Sequence, residues 1–474
     1  MKIQHSTPAW ERRHLAGGLI GLLRSTGPAG CWRSQGSVLI IVLWVCIGLV
    51  SIALYFANTM TYELRASDNR VSGVMADQAI EGAARYIGLA LQNYATNGAT
   101  PDNTQFKCEA VSVGDAKFWL IGRDPNEGNS TEPYFGLVDE GGKSNLNNVS
   151  TNVFQYLPNV TSNFADAIMD WRGTNGMVSL DYTSLGYAPK YAPFETVDEL
   201  RLVYGATVEM LAGEDLNRNG VLDANEKDVN SNGELDPGLF EYVTVYTREP
   251  NFHADGSSLT NVNTASESQI KSLFQSLGTS RAQKIWEAIK QQVHPSREPG
   301  QNFNGILDFA LFCKNQGLNS DKFAAIANNI QTKTNTYIRN RVNVNTANSD
   351  VLTAMFMGAN VDEQTAISAA QTLITYRQQN ANNLGSIAWV IDALGNNSPV
   401  LKAMASHDWW TTHSYQFTAD IAAVGPFGRG YRRVKFIFDM SDGAPKILYR
   451  QDLSRLGWAL GDKARQTLVA KETP

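Results

Sequence analysis

Histidine and cysteine are scarce in this chain, which has six and four of them among 474 residues. The histidines are scattered, and no third side chain stands at a spacing that would complete a zinc site with His407 and His413. The sequence contains no HExxH, no GxSxG and no phosphate loop, and no serine or cysteine has a sequence-local base. We therefore expect no enzyme activity.

Charged residues are also few, at 18% of the chain, and acidic residues outnumber basic ones by 46 to 40. Residues 1–36 hold five Lys and Arg against one Glu, so the rest of the chain has a net charge of −10, compared with −6 for the whole. A phosphate-binding surface needs clustered basic side chains. The charge balance therefore argues against a nucleic acid partner, whereas an apolar content of 43% is typical of a folded protein.

One stretch, Ser37–Ala57, lacks charge altogether and reads SVLIIVLWVCIGLVSIALYFA. A helix of this length spans about 30 Å, the thickness of a hydrocarbon core. The basic segment before it predicts a cytoplasmic N-terminus, with the bulk of the chain across the membrane. A secretory signal places its cleavage site after the apolar run, whereas the candidate junction here, Gly36–Ser37, precedes it. The alternative is a plain membrane anchor that is not cleaved.

An amphipathic segment continues the apolar stretch without a break. Apolar residues at helical spacing form one stripe, namely Ala76, Ile80, Ala83, Ile87 and Leu91. We therefore predict one helix from Ser37 to about Asn93. Short runs rich in aromatic and β-branched residues predict strands of an antiparallel sheet behind it, at residues 117–122, 134–139, 240–249, 415–424, 431–440 and 446–452. After Trp458 the chain becomes charged, and we expect it to fray.

An internal repeat occupies the middle of the chain. Its openings are NLN at 145–147, NVNTAS at 261–266 and NVNTAN at 343–348, and each precedes a series of predicted helices. Thr264 and Thr346 are predicted to cap the helices that follow them. These units look like helix-hairpin-helix or SAM-like modules, in which a glycine turn can present amides to DNA phosphates. Each turn has a single glycine, Gly278 or Gly358, in an acidic chain, so we favour protein binding over DNA binding.

The segment DLNRNGVLDANE has the spacing of an EF-hand calcium loop, with Gly220 at the sharp turn of position 6. Oxygen ligands stand at positions 1, 3, 5, 7, 9 and 12, the seventh through its carbonyl: Asp215, Asn217, Asn219, Val221, Asp223 and Glu226. Such hard oxygen ligands suit Ca²⁺ better than Zn²⁺. We predict one bound Ca²⁺ here.

The next segment, DVNSNGELD, repeats the first nine positions of this loop. Its candidate ligands are Asp228, Asn230, Asn232, Glu234 and Asp236. Position 12 is Leu239, so the second site either binds more weakly or takes a carboxylate ligand from another position. The candidate for that ligand is Glu241, two residues after position 12. A second Ca²⁺ depends on that choice.

The N-terminus resembles a type IV pilin-like protein, and the chain as a whole resembles the K-type minor pseudopilins of type II secretion systems. Head segments that match in order are DEGGKSNLN (139–147), MDWR (169–172), PFETVDEL (193–200) and NVNTA. The resemblance runs from about Gly36 to Asp452. The fifth residue after the Gly36–Ser37 junction is Ile41, where most pilins carry Glu and the K-type family does not. A subunit at the tip of a filament has no neighbour above it whose amine would pair with a buried Glu.

The resemblance implies an α+β fold, in which a pilin-like long N-terminal helix packs on an antiparallel sheet and a large α-helical subdomain is inserted. It also implies cleavage by prepilin peptidase after Gly36, methylation of Ser37, anchoring in the inner membrane and a periplasmic head that carries Ca²⁺. The implied function is to cap the tip of the pseudopilus, with I- and J-type minor pseudopilins as partners, and to help initiate its assembly for protein export. The alternatives are a membrane-anchored DNA-binding protein of an uptake system, or a type IV pilus minor subunit, which would normally keep Glu in place of Ile41.

The predicted boundaries follow these features along the chain. They are 1–36 (leader), 37–57 (membrane helix), 58–97 (rest of the pilin helix), 98–142 (first strands), 143–204 (first repeat), 205–250 (calcium loops and strand), 251–410 (second and third repeats), 411–455 (last strands) and 456–474 (tail). Cys108 and Cys313 are the cysteine pair of the soluble part, and the sequence leaves open whether they form a disulfide.

Overall fold

The structure is a computed structural model that describes residues 35–125, 130–173, 180, 182–292 and 302–470, with side chains from Val38 to Leu468. The chain divides into two compact units, residues 1–66 and 67–474. Residues 1–34 of the predicted leader lie outside the described residues, as does the side chain of Ser37.

The α-helices range from one turn to sixty residues in length. In chain order they are α1 (Gln35–Tyr94), α2 (Thr151–Phe154), α3 (Ser162–Arg172), α4 (Val208–Ala212), α5 (Glu267–Leu273), α6 (Thr279–Gln292), α7 (Ile306–Asn315), α8 (Ser320–Ala327), α9 (Ser349–Gly358), α10 (Glu363–Gln379), α11 (Trp389–Leu394), α12 (Pro399–Ala405) and α13 (Gly461–Ala470). Together with the sheet described next, they confirm the predicted α+β class.

The strands form one larger sheet and several two-residue pairings. They are β1 (Val111–Val113), β2 (Ala116–Ile121), β3 (Val138–Asp139), β4 (Ser144–Asn145), β5 (Val243–Thr244), β6 (Glu249–Pro250), β7 (Thr260–Asn261), β8 (Ile330–Gln331), β9 (Tyr337–Ile338), β10 (Val342–Asn343), β11 (Trp410–Thr411), β12 (Gln416–Val424), β13 (Arg432–Asp439) and β14 (Lys446–Asp452). The larger sheet is antiparallel and runs in the order β1-β2-β12-β13-β14, with β3 also paired to β12.

In the first unit, α1 carries apolar side chains on all sides. From Val38 to Phe56 its large hydrophobic residues are each more than half exposed. A helix that is apolar all round is typical of a membrane span. By length and composition, α1 is able to cross a membrane.

In the second unit, α1 packs on one face of the larger sheet. The predicted stripe from Ala76 to Leu91 is confirmed, because each of its five residues is no more than 1% exposed. The stripe shares one apolar core with alternate residues of the strands, including Phe118 and Leu120 on β2 and Phe436 on β13. This core holds the C-terminal half of α1 to the sheet.

Four predicted strands agree with β2, β12, β13 and β14 to within one residue at each end. The predicted strand at 134–139 is reduced to β3, together with a bridge between Phe135 and Ile121. The predicted sheet strand at 240–249 is wrong. Residues 239–241 form a helical turn and β5 pairs with β4 away from the sheet, because Tyr242 and Val243 are buried in the core of the helical part instead.

The three repeats open with the same arrangement. The short strands β4, β7 and β10 each pair in parallel with another two-residue strand. In each opening the second Asn donates its side-chain amide to a distant carbonyl: Asn147 to Phe194 at 2.9 Å, Asn263 to Phe303 at 3.1 Å and Asn345 to Leu384 at 3.0 Å. The repeated asparagines therefore join the start of each copy to its closing segment.

Two predicted helix caps are displaced by two residues. Ser266 caps α5 and Asn348 caps α9, in place of Thr264 and Thr346, because the Asn-rich opening continues as a turn before each helix begins. Cys108 belongs to the core of the sheet and Cys313 to the core of the helical part, and both are free thiols.

The C-terminal tail does not fray at Trp458 as predicted. Ala459 and Leu460 are fully buried, and α13 follows them. They pack on the face of the sheet opposite α1, where alternation along β2 places Trp119 and Ile121. Both faces of β2 and β12 are therefore covered by segments of the same chain.

Candidate calcium-binding loops

The first loop, residues 215–226, is held in a tight turn by its own side chains. The carboxylate of Asp215 accepts the backbone N–H groups of Asn219 and Gly220, both at 2.9 Å. The side-chain oxygens of Asn217 and Asn219 each accept an N–H two residues further on, at 3.0 Å. These contacts turn the oxygens of positions 1, 3 and 5 toward the inside of the loop.

The second loop, residues 228–236, repeats these contacts one by one. Asp228 accepts the N–H groups of Asn232 and Gly233, at 3.3 and 2.9 Å. Asn230 accepts from Asn232 at 3.0 Å, and Asn232 accepts from Glu234 at 2.8 Å. Its side chains are more exposed than those of the first loop, where Asp215, Asn217 and Asn219 are buried.

The backbone turns in the same way in both loops. Positions 4 and 6 have positive φ in each, at Arg218 (59°) and Gly220 (82°), and at Ser231 (59°) and Gly233 (75°). Glycine adopts such angles without strain, which explains its place at position 6. Since the two loops share contacts and dihedral angles, they are two copies of one conformation.

Glu226 closes the first loop at position 12. Its two carboxylate oxygens accept the N–H groups of Asn217 and Asp223, each at 3.1 Å. Burial raises the pKa of the Glu226 carboxyl, and the neighbouring charges of Asp215 and Asp223 raise it further. A cation between these carboxylates would relieve their repulsion.

Glu214 occupies a similar place at the second loop, and sequence reasoning missed it. Its carboxylate oxygens accept the N–H groups of Val229 at 2.6 Å and Asp236 at 3.1 Å, at positions 2 and 9, whereas Glu226 accepts from positions 3 and 9 of the first loop. Glu214 is 6% exposed. The EF-hand pattern includes only residues that follow position 1 of a loop, whereas this carboxylate belongs to the residue just before the first loop.

The structure places Glu241 elsewhere. Its carboxylate accepts the Arg123 Nε–H at 2.9 Å, and another nitrogen of Arg123 lies 3.9 Å from Asp215. Glu241 is thus connected through Arg123 to the first loop. The carboxylate that contacts the second loop is Glu214.

The donor set of the first loop fits Ca²⁺ in kind, because it combines carboxylate, amide and main-chain oxygens. Arg123 beside Asp215 competes with a cation for that carboxylate, which favours modest affinity. Among the described residues, no group of three or more His, Cys, Asp or Glu side chains is arranged as around a metal ion. Coordination here would therefore need the asparagine and main-chain oxygens as well.

The remaining candidates have separate contacts. His407 stacks on Trp409, with ring centroids 3.9 Å apart, whereas His413 lies 3.5 Å from Glu249. The turn at Gly358 is buried, and a Cβ atom there would lie 2.5 Å from the side chain of Val153. That glycine allows α9 to pack closely on α2. This packing explains the glycine without a role in binding DNA phosphates.

Comparisons with known proteins give a structural likeness but no family. No protein-family model and no curated protein match the sequence. A chain in the crystal structure of the GspK-GspI-GspJ complex from the type 2 secretion system of enterotoxigenic Escherichia coli is 12% identical, with a TM-score of 0.15. The match covers 44% of this chain and 78% of the other. A TM-score this low establishes no shared fold.

Proposed function

We propose that this protein is a K-type minor pseudopilin of a type II secretion system. In this proposal it is cleaved after Gly36 and methylated at Ser37, and it is anchored in the inner membrane with its head in the periplasm. There it joins I- and J-type minor pseudopilins and caps the tip of the pseudopilus, where it helps to initiate assembly for the export of folded proteins.

The observation that carries the proposal is that the two halves of α1 have different surroundings. The apolar residues of its first half are exposed, while the stripe of its second half is buried against an antiparallel sheet. A membrane-inserted half and a half packed on a sheet are what a subunit needs to pass from a bilayer into a filament. Ile41, and the head segments that resemble the K type, support the narrower assignment.

The decisive experiment is to determine the intact mass and N-terminal sequence of the protein from cells with and without prepilin peptidase. We expect a chain that starts at Ser37 in the first case and an uncut chain in the second. A chain that begins at Met1 in both would refute the pseudopilin assignment. DNA binding at low salt would then be the next test, since the helical repeats are the alternative functional feature.

We further propose that the first loop binds Ca²⁺ through Asp215, Asn217, Asn219, Asp223, Glu226 and the carbonyl of Val221. The ion would neutralise carboxylates that repel one another and would hold the loop in one conformation. Isothermal titration of the calcium-free protein tests this. We expect the wild-type protein to bind Ca²⁺ at the first loop and Asp215→Asn to abolish that binding. If injecting Ca²⁺ into the protein released no more heat than injecting it into buffer, the proposal would be contradicted.

A further inference from the structure

The C-terminal segment 457–470 covers an apolar surface. Trp119 and Ile121 on β2 and Ala422 and Val424 on β12 form a patch on the sheet face opposite α1. Ala459 and Leu460 fill it, and each is fully buried. Without this segment the patch would face solvent, so its position decides whether the sheet presents an apolar surface.

This segment contacts the first loop directly. The side-chain amide of Asn217, at position 3, donates to the carbonyl of Trp458 at 3.3 Å. The same amide nitrogen also donates to Asp223, at position 9. The side chain of Asn217 therefore contacts both the opposite end of the first loop and the C-terminal segment.

The other side of the loop is fixed to the sheet by Arg433, which is fully buried on β13. Its guanidinium pairs with Asp420 at 2.6 Å and donates to the carbonyls of Asn217 and Arg218. Two residues before it, Tyr431 packs on the ring of Trp458, with centroids 5.1 Å apart. The sheet, the first loop and the tail therefore meet at Asn217 and Trp458.

We propose that the first calcium loop acts as a clasp for the C-terminal segment, holding residues 457–470 over the apolar patch through the Asn217 amide. This rests on the proposed calcium site. With the ion bound, Asn217 is fixed by its side-chain oxygen, and its amide is aimed at Trp458. Without the ion, the loop carboxylates repel one another and the side-chain amide of Asn217 is held less firmly, although Arg433 still holds its carbonyl, so the segment opens more often.

Hydrogen–deuterium exchange of the full-length protein in detergent micelles tests the clasp. We expect peptides that cover 457–470 to exchange about tenfold faster in EGTA than in Ca²⁺, within the range usual for coupled sites. Asp215→Asn should show the fast rate in both buffers. Asp228→Asn, the same change in the second loop, is the matched control and should keep the wild-type difference.

A second variant separates the clasp from the ion. Asn217→Asp keeps an oxygen ligand at position 3 but removes the amide donor to Trp458. We expect it to bind Ca²⁺ by calorimetry and still to exchange fast at 457–470. Asn230→Asp, at position 3 of the second loop, should leave the segment protected.

The outcomes distinguish the two proposals. Calcium binding with unchanged exchange at 457–470 would overturn the clasp and leave the calcium site standing. Full protection of the segment in Asn217→Asp would also overturn the clasp. Absence of calcium binding would overturn both the site and the clasp.

Discussion

Single residues in this protein take roles that their sequence positions hide. Glu214 precedes the first loop but contacts the second, and Glu241 follows both loops but pairs with Arg123. A buried carboxylate needs donors or a cation, and whichever lies nearest in space provides them. Predictions at this scale therefore concern which carboxylate serves which partner.

If the second loop also binds Ca²⁺, Glu214→Gln should weaken that binding. The change removes one negative charge and alters the acceptor that holds Val229 and Asp236, while the first loop keeps its own glutamate. We expect about a tenfold loss of affinity at one site, equal to about 1.4 kcal/mol, by calorimetry. Glu209→Gln, on the exposed side of α4, is the control. Equal affinities in all three proteins would show that Glu214 is not a ligand.

Glu249→Gln should destabilise the protein in a pH-dependent way. Burial opposes ionisation of Glu249, but Arg341, 3.1 Å away, and His413 outweigh it and lower the pKa of that carboxyl to about 2. A carboxyl whose pKa is lower in the folded than in the unfolded state stabilises the folded protein at pH values above the unfolded-state pKa. This stabilisation is lost as the pH falls toward 2. We expect a loss of about 3 kcal/mol at pH 7, measured by denaturant unfolding, that shrinks below pH 4.5.

The control for this variant is Glu195→Gln. Glu195 also faces a cation, Lys190, but its side chain is 81% exposed. An exposed pair contributes little, so we expect no more than about 0.5 kcal/mol. A pH-independent loss in Glu249→Gln would argue that packing, not charge, explains its effect.

At the level of helices and strands, α1 shows what the spacing of apolar residues can predict. Its stripe was correctly predicted because residues three and four apart lie on one face of any α-helix. The strand predicted at 240–249 failed because alternation of apolar residues also arises where a chain crosses a helical core. Local pattern predicts which side of an element is buried, but the partner comes from elsewhere in the chain.

Ile87→Ala tests the packing of α1 on the sheet. Ile87 is fully buried in the core shared with the strands, and its truncation leaves a cavity. We expect a loss of about 3 kcal/mol in the free energy of unfolding. Leu89→Ala, two residues along the same helix at a side chain that is 58% exposed, should change it by less than about 0.5 kcal/mol. Similar losses in both variants would contradict this assignment of faces.

At the scale of the whole molecule, segments far apart in sequence meet around the sheet. The first loop is fixed by Arg433 and touches Trp458, 241 residues beyond Asn217. An ion that binds only the folded arrangement of these segments would stabilise the folded protein.

Calcium should therefore raise the melting temperature of the protein. At a free concentration a hundred times the dissociation constant, one site contributes about 2.7 kcal/mol. We expect a shift of several degrees between Ca²⁺ and EGTA by calorimetry, with little response to Mg²⁺, which demands a tighter octahedral site. An identical melting temperature in Ca²⁺ and EGTA would contradict a stabilising ion.

Local stretches of sequence are enough to predict several features of this protein. The uncharged stretch, the stripe of α1, four strands of the sheet, the repeat openings and the spacing of the first loop all depend on residues near one another in the chain. Helical and strand periodicity, and the turn preferences of asparagine and glycine, are enough to specify them.

Which distant groups meet depends on the tertiary structure. It brought Glu214 to the second loop and Arg123 to Glu241, and it buried the tail on the face of the sheet opposite α1. It also placed Cys108 and Cys313 in separate cores. Buried charges and apolar faces are satisfied by whichever groups the packing brings near them, and the spacing of residues along the chain does not reveal that packing.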